Sequence, residues 1–228
     1  EAKSHGVKNV MPVLEAKQKC PEIILVPQSP DLYRRAHNAF LNEISAVIPI
    51  DAVKSIDELT CKLERTDRNN PQDLAKKIKN RIRKNIGPYI TCSIGFAANR
   101  LLAKMASKIN KPDGVTIWHP ADMPTPILTV AIEDVSGIGK NMQVRLQKAG
   151  IYTMLDLWKS QPKHLRNIWK NVVGERLWYA IHGYDIQASA SGRNMFGHGR
   201  VLPPGSRKIE YARDCSRLLL VKAARRMR

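Results

Sequence analysis

Two adjacent carboxylates, Asp57 and Glu58, stand between an apolar stretch (Ile44, Ala46, Val47, Ile48, Ile50, Val53) and the segment Leu59-Thr60-Cys61-Lys62-Leu63. Side chains alternate across a strand, so neighbouring acids reach one cation or substrate only where the chain turns or lies at a sheet edge. Carboxylates at the ends of buried strands suit a hard cation such as Mg²⁺, which is usually held by one or two carboxylates together with substrate phosphates and water. An ordinary solvated turn is the plain alternative for such a pair.

A cationic counterpart lies downstream. The run TCSIGFAANRLLAKMASKINKPDG, Thr91 to Gly114, joins a short apolar strand to a basic amphipathic helix and stops it at Lys111-Pro112-Asp113-Gly114. Asn99 reads as the helix cap, and Arg100, Lys104, Lys108 and Lys111 follow at steps of 4, 4 and 3, which places them on one stripe. Leu101, Leu102, Met105 and Ile109 line the opposite, buried side. Pro112 has no N–H and biases Lys111 away from helical angles, so that lysine sits at a fixed chain exit where it can meet a polyphosphate. The competing reading is a basic stripe that is simply a solvated face.

A third group is Ser136-Gly137-Ile138-Gly139-Lys140, set between two helical patterns in the layout of a helix-hairpin-helix. Two glycines let the backbone turn tightly, so consecutive N–H groups at the next helix start can bind a DNA phosphate without reading its base. Lys140, Arg145 and Lys148 add charge nearby, although a G-x-G is also an ordinary turn. Leu146, Ile151, Tyr152, Met154, Leu155, Leu157 and Trp158 read as core, Trp169 and Trp178 as packing residues, and His182 and His198 as structural or surface histidines without ligand partners at metal spacing.

These groups need elements to hold them. Residues 1–29 read as helical around Pro12 to Lys19 and extended through Ile23-Ile24-Leu25-Val26. Ser29-Pro30-Asp31 opens a helix, with Ser as cap, Pro at its first position and Asp against the positive helix end; Leu32, Ala36, Phe40 and Ile44 form its buried side. Strands follow near 46–53 and 58–63, then a helix near 72–85, a strand near 90–96, the basic-striped helix, and a strand at Val115-Thr116-Ile117-Trp118. That order predicts an α+β unit whose antiparallel sheet is covered by helices on one face. Lys76, Lys77, Lys79, Arg81, Arg83 and Lys84 run round the polar side of the 72–85 helix and predict a solvated outer face. Beyond Pro120 the texture becomes helical, with short apolar repeats broken by glycines.

Composition narrows the function classes. At 228 residues and 43% hydrophobic the chain can form one to three compact units. Its 38 Lys and Arg against 20 Asp and Glu give a net charge of +18, which calls for a polyanionic partner, and nucleic acid is the natural candidate. No segment approaches the ~20 apolar residues of a membrane span. Cys20, Cys61, Cys92 and Cys215 are widely spaced, which disfavours both zinc and a disulfide framework and points to a reducing interior.

Four blocks, in this order, resemble the Y-family, or translesion, DNA polymerases along nearly the whole chain: Glu1-Ala2-Lys3-Ser4-His5-Gly6-Val7-Lys8 with Met11-Pro12-Val13-Leu14-Glu15-Ala16; Ser55-Ile56-Asp57-Glu58; Ser93-Ile94-Gly95 through Lys111-Pro112-Asp113-Gly114; and Val135-Ser136-Gly137-Ile138-Gly139. Phe196-Gly197-His198-Gly199-Arg200-Val201-Leu202-Pro203-Pro204 is similar to the start of that family's extra DNA-binding domain, the little finger. The resemblance implies the remainder of a fingers domain at 1–29, a palm at 30–118, an all-α thumb with the helix-hairpin-helix at 119–190, and a linker with the first strand and helix of the little finger at 191–228. It further implies that the chain begins after the family's first metal-binding aspartate and its ribonucleotide-screening aromatic. The chain would then end inside a helix with Cys215, Leu218, Leu219, Val221 and Ala224 on its apolar side and Arg217, Lys222, Arg225, Arg226 and Arg228 around it. An internal fragment of a longer polymerase, inactive or nearly so by itself, is the expectation.

The activity implied for the full-length parent is template-directed nucleotide addition assisted by two Mg²⁺ ions, on primer-template DNA and deoxynucleoside triphosphates. Asp57 matches a family metal ligand and Glu58 the adjacent carboxylate near the primer terminus; both are carried over as catalytic and metal-binding. Lys111 matches the triphosphate-binding lysine. Lys3 falls where many relatives place an arginine on the same phosphates; lysine supplies the charge without the bidentate fork. Ser55 is expected to shape the turn. Gly137, Ile138, Gly139 and Lys140 are the expected DNA-phosphate contacts. The family setting implies a cytoplasmic, nucleoid-associated protein of the SOS response, with a sliding clamp engaged through a C-terminal region. A catalytically inactive DNA-binding adaptor of the same fold, working in mutagenic repair, is the alternative. A repair glycosylase or structural DNA-binding protein, suggested by the hairpin alone, leaves the other three blocks unexplained.

Overall fold

The computed structural model describes residues 1–186 and 197–227, so Phe196 and Arg228 lie outside the described residues. Two compact units are present, Glu1–Asp185 and Ile186–Arg228.

In the first unit the elements run α1 (Val13–Lys19), α2 (Pro30–Ser45), β1 (Ile50–Val53), β2 (Leu59–Cys61), α3 (Pro71–Asn85), β3 (Ile94–Phe96), α4 (Arg100–Ile109), β4 (Val115–Ile117), α5 (Lys140–Lys148), α6 (Met154–Lys159), α7 (Pro162–Trp169) and α8 (Val172–Ile181). Local chemistry sets many of their ends. Asn70 caps α3 by accepting from the Asp73 N–H, with Pro71 at the first helical position; Asn99 caps α4 through Leu102; Thr153 and Asp156 form a capping box on α6; Asn171 caps α8. Ser29, by contrast, makes no side-chain cap bond to α2.

The core has two parts. Ile44, Ile48, Leu74, Ala75, Ile78, Ile82 and Phe96 form one cluster, in which α2 and α3 cover the short strands. The other runs from Leu102, Met105 and Ala106 through Trp118, Ile127 and Leu146 to Leu165, Leu177 and Ile181, and gathers the helical half of the unit. Phe96 of β3 packs into the first cluster while the next element, α4, packs into the second, so this strand and helix join the two. Trp158 and Trp178 stack on the two faces of His182 with ring centroids 4.0 and 3.9 Å away, which makes that histidine a packing residue as expected.

Several details differ from the sequence reading. The strands are shorter, and among the described residues only the β1–β2 pair is antiparallel; β3 and β4 pair in parallel, Ile94 opposite Val115. The cause is connectivity: α4 carries the chain back across the pair, and a strand-helix-strand crossover leaves the two strands pointing the same way. Leu32 is 56% exposed and Ile109 46%, because α2 buries only its C-terminal half and Ala106 takes the place on α4 that Ile109 was expected to fill. The basic side of α3 is not a simple solvated face: Arg81 pairs with Glu43 at 2.8 Å, and Lys79 and Arg83 both engage Asp113.

In the second unit, α9 (Ile209–Met227) is the main element, with Cys215 and Leu219 half-buried and Leu218 and Val221 exposed. Among the described residues no helix is long and apolar enough to cross a membrane.

Candidate functional site

The acidic pair sits in the loop that closes the β1–β2 hairpin. The N–H groups of Lys54 and Ser55 both donate to the Glu58 carbonyl, at 2.8 and 3.1 Å. Ser55 shapes the loop as expected: its hydroxyl donates to Asp57 Oδ1 at 2.6 Å. Two more distant helices brace the same five residues. His37 of α2 lies with Nδ1 2.8 Å from the Ile56 carbonyl; a carbonyl only accepts, so this bond requires the proton on Nδ1. Lys104 of α4 places its ammonium 2.7 Å from Glu58 Oε2, with side chains 32% and 47% exposed.

Asp57 and Glu58 are exposed, and no group of three His, Cys, Asp or Glu side chains surrounds a cation position among the described residues. Two neighbouring hard-oxygen carboxylates open to solvent fit Mg²⁺, which keeps several waters and takes the rest of its shell from substrate phosphates rather than from an all-protein cage.

The lysine turn is built differently. Behind the α4 cap residue Asn110, Lys111 projects as an exposed side chain, and Asp113 adopts the left-handed φ of 56°. Lys79 donates to the Asp113 carboxylate at 2.7 Å and also to its carbonyl, while Arg83, one turn further along α3, lies 3.6 Å from the other carboxylate oxygen. The Lys79 hydrogen bond, with the charges of Lys79 and Arg83, holds the Asp113 carboxyl below its ordinary range. Gly114 follows because nothing larger fits: a Cβ there would stand 1.8 Å from the Asn110 carbonyl oxygen. Asn110 in turn bonds Thr116 at 3.0 Å.

Among the described residues no hydrogen bond or ion pair joins Lys111 to Asp57 or Glu58. The cation of the α4 stripe that reaches the acids is Lys104, seven residues earlier, or roughly 10 Å back along the helix direction. Lys108 donates to the Asp134 carbonyl at 3.1 Å, so the stripe also ties α4 to the segment that leads into the glycine hairpin. Lys3 is exposed on a 3₁₀ turn, Ala2–His5, and among the described residues no hydrogen bond or ion pair joins it to the acids or to Lys111.

At the hairpin, Gly137 takes φ of 100°, and Gly139 is the extended N-cap of α5. Ile138 departs from the expectation of a DNA contact: its side chain is buried with 4% exposure, and its N–H donates to the Val135 carbonyl at 3.0 Å. The groups left for an anion are the first N–H groups of α5, at Lys140 and Asn141. They border a shallow concavity lined by Gly139, Lys140, Asn141, Met142 and Arg145.

Sequence reasoning singled out the acids, the lysine and the hairpin as candidates, but not the residues that brace them. Lys104 carried a usable signal, its place on the stripe. His37 and Lys79 carried none, since each meets its partner across a long stretch of chain.

Comparison with known proteins places these features in context. Residues 1–108 match the impB/mucB/samB family. The chain is 35% identical to DNA polymerase IV 1 of Halalkalibacterium halodurans over 186 residues, covering 81% of this chain and 44% of that protein. It is 32% identical to DNA polymerase IV of Moorella thermoacetica over 235 residues, covering 100% of this chain and 58% of the relative. The chain thus spans about half the length of these curated relatives. Among solved structures it is similar to an insertion ternary complex of Dbh DNA polymerase, with TM-score 0.71, 27% identity and coverage of 82% of this chain and 55% of that one. It is also similar to a Y-family polymerase chimera of Dbh and Dpo4, with TM-score 0.81, 25% identity and coverage of 99% and 66%.

Proposed function

Because the chain belongs to the Y-family of DNA polymerases, we propose that its protein performs template-directed, translesion DNA synthesis and that this chain contributes the acidic, triphosphate and DNA-phosphate contacts. The observation that carries the reading is the Asp57-Glu58 loop, two exposed carboxylates presented at a hairpin end by bonds from Ser55, His37 and Lys104.

Asp57 and Glu58 are the residues that would hold Mg²⁺. When bound, the ions supply Lewis acidity and charge neutralisation at the reacting phosphoryl oxygens. Ser55 fixes one Asp57 oxygen, which leaves the carboxylate oriented before any ligand arrives. Lys111, exposed at its turn, binds the anionic tail of a deoxynucleoside triphosphate as a point charge; Lys3 is a further candidate for the same phosphates. The N–H groups of Lys140 and Asn141, exposed beyond Gly139, and the Lys140 side chain hold the backbone of primer-template DNA without reading sequence. Such binding is electrostatic and weakens steeply with salt. Acting on chromosomal DNA, the protein would work at the nucleoid.

The ion pair between Lys104 and Glu58 supports a second reading, a DNA-binding adaptor whose acidic pair is neutralised within the fold. Primer extension separates the two. Residues 1–228 grafted in place of the matching stretch of the Moorella thermoacetica polymerase should extend a primer in Mg²⁺ with four deoxynucleotides. Asp57→Ala in that graft should lower the rate at least ~100-fold, the scale of losing one preorganised electrostatic group, with DNA affinity unchanged. A graft that binds DNA but never extends would favour the adaptor, and an Asp57→Ala graft at full rate would remove Asp57 from the metal site.

A further inference from the structure

We infer that Lys79 is a positioning residue for Lys111, acting through Asp113 and never touching the nucleotide itself. The inference rests on the reading of Lys111 as the triphosphate lysine.

Lys79 lies on α3, whose buried side (Leu74, Ala75, Ile78, Ile82) anchors it in the first core cluster. Its side chain is 15% exposed, unusual for a lysine, and the ammonium spends its donors on one target, the carboxylate and the carbonyl of Asp113. A lysine this far out of water needs a partner for its donors, so the pair ties the turn to an element anchored in the core. Arg83 adds a second, weaker cation at 3.6 Å from the same carboxylate.

The rest of the turn has little freedom of its own. Gly114 is pressed against the Asn110 carbonyl, and the Asn110 amide is held by Thr116. Asp113 stands in the left-handed region, which aspartate tolerates better than most non-glycine residues, and Lys79 bonds both its carboxylate and its carbonyl there. The Lys111 backbone, two residues away, is therefore placed by α3, an element that contributes no group to the nucleotide. Its side chain remains exposed and can deliver its charge without first reorganising the turn.

The experiment is a titration of the 228-residue chain with a fluorescent deoxynucleoside triphosphate in Mg²⁺. Lys111→Ala is the reference, and Arg81→Met is the control, since Arg81 makes a comparable ion pair on the same helix with Glu43 rather than with the turn. Lys79→Met should weaken triphosphate binding about tenfold, the low end of the loss when a ligating group's orienting partner is removed. Lys79→Arg should restore most of it. The double variant Lys79→Met/Lys111→Ala should bind no worse than Lys111→Ala alone, because Lys79 acts only through Lys111. If Lys79→Met does not fold, Asp113→Asn breaks the same pair from the more exposed side and carries the same expectation.

Wild-type affinity in Lys79→Met alongside weak binding in Lys111→Ala would overturn the inference and leave the nucleotide site standing. An equal loss in Arg81→Met would overturn it too, as a general effect of loosening α3. Unchanged binding in Lys111→Ala would overturn both the inference and the reading beneath it.

Discussion

The loop at 54–58 and the turn at 110–114 each present charge to solvent from the end of a short element, yet they are secured in opposite ways. The acidic loop is held by hydrogen bonds at its margins: a serine on one carboxylate, a histidine on a carbonyl, and a half-exposed lysine on the other carboxylate. Two backbone bonds, from the Lys54 and Ser55 N–H groups to the Glu58 carbonyl, close the loop, and the carboxylates themselves are held by side chains alone. The lysine turn is wedged between a glycine with no room for a methyl group and an ammonium sunk in the side of α3.

The sharpest way to break this contrast is Gly114→Ala. The clash is with backbone rather than with a movable side-chain tip, so the turn itself has to shift. A loss of about 3 kcal/mol in unfolding free energy, the upper part of the overpacking range, is expected from urea titration of the 228-residue chain. A loss under about 0.5 kcal/mol, ordinary for a surface site, would mean that the turn is as pliable as the acidic loop.

The complementary variant is Lys104→Met. The pair it breaks is half-exposed, so stability should fall by no more than about 1 kcal/mol. Removing a positive charge that stands 2.7 Å from Glu58 should at the same time strengthen Mn²⁺ binding, read by paramagnetic resonance of the free ion, by a few-fold. Weaker Mn²⁺ binding would show that Lys104 is a brace the acids depend on. A stability loss matching that of Gly114→Ala would erase the difference between the two regions.

How much of this could be read from the sequence follows the reach of the interactions. The cap at Asn99, the turn around Ser55 and the start of α2 at Pro30 obey rules that span a few residues, and their expected elements formed. The partners of Glu58 and Asp113 lie 46 and 34 residues away, and a lysine in a long-range ion pair has the same local pattern as one in water. That is why α3 reads as a solvated helix and its role at the turn goes unseen. Ile138 errs in the other direction: a hairpin pattern marks the residue between two glycines as part of a binding surface, whereas an apolar side chain beside Val135 gains more by entering the core.

A third region tests the contrast from outside it. Gly139 is the N-cap of α5 beside Lys140, yet unlike at Gly114 a Cβ at Gly139 would meet nothing within 4 Å, and its φ of −89° is open to any residue. Nothing inside the protein requires glycine there. Gly139→Ala should therefore change stability by no more than about 1 kcal/mol, the scale of a weakened N-cap. If the open space is where a phosphate backbone approaches the Lys140 and Asn141 N–H groups, the added methyl will weaken primer-template binding several-fold, equally for any sequence. The salt slope should stay unchanged, because no charge is lost. Full DNA affinity in Gly139→Ala would take the hairpin out of the binding surface and leave the cations of α5 to account for the attraction alone.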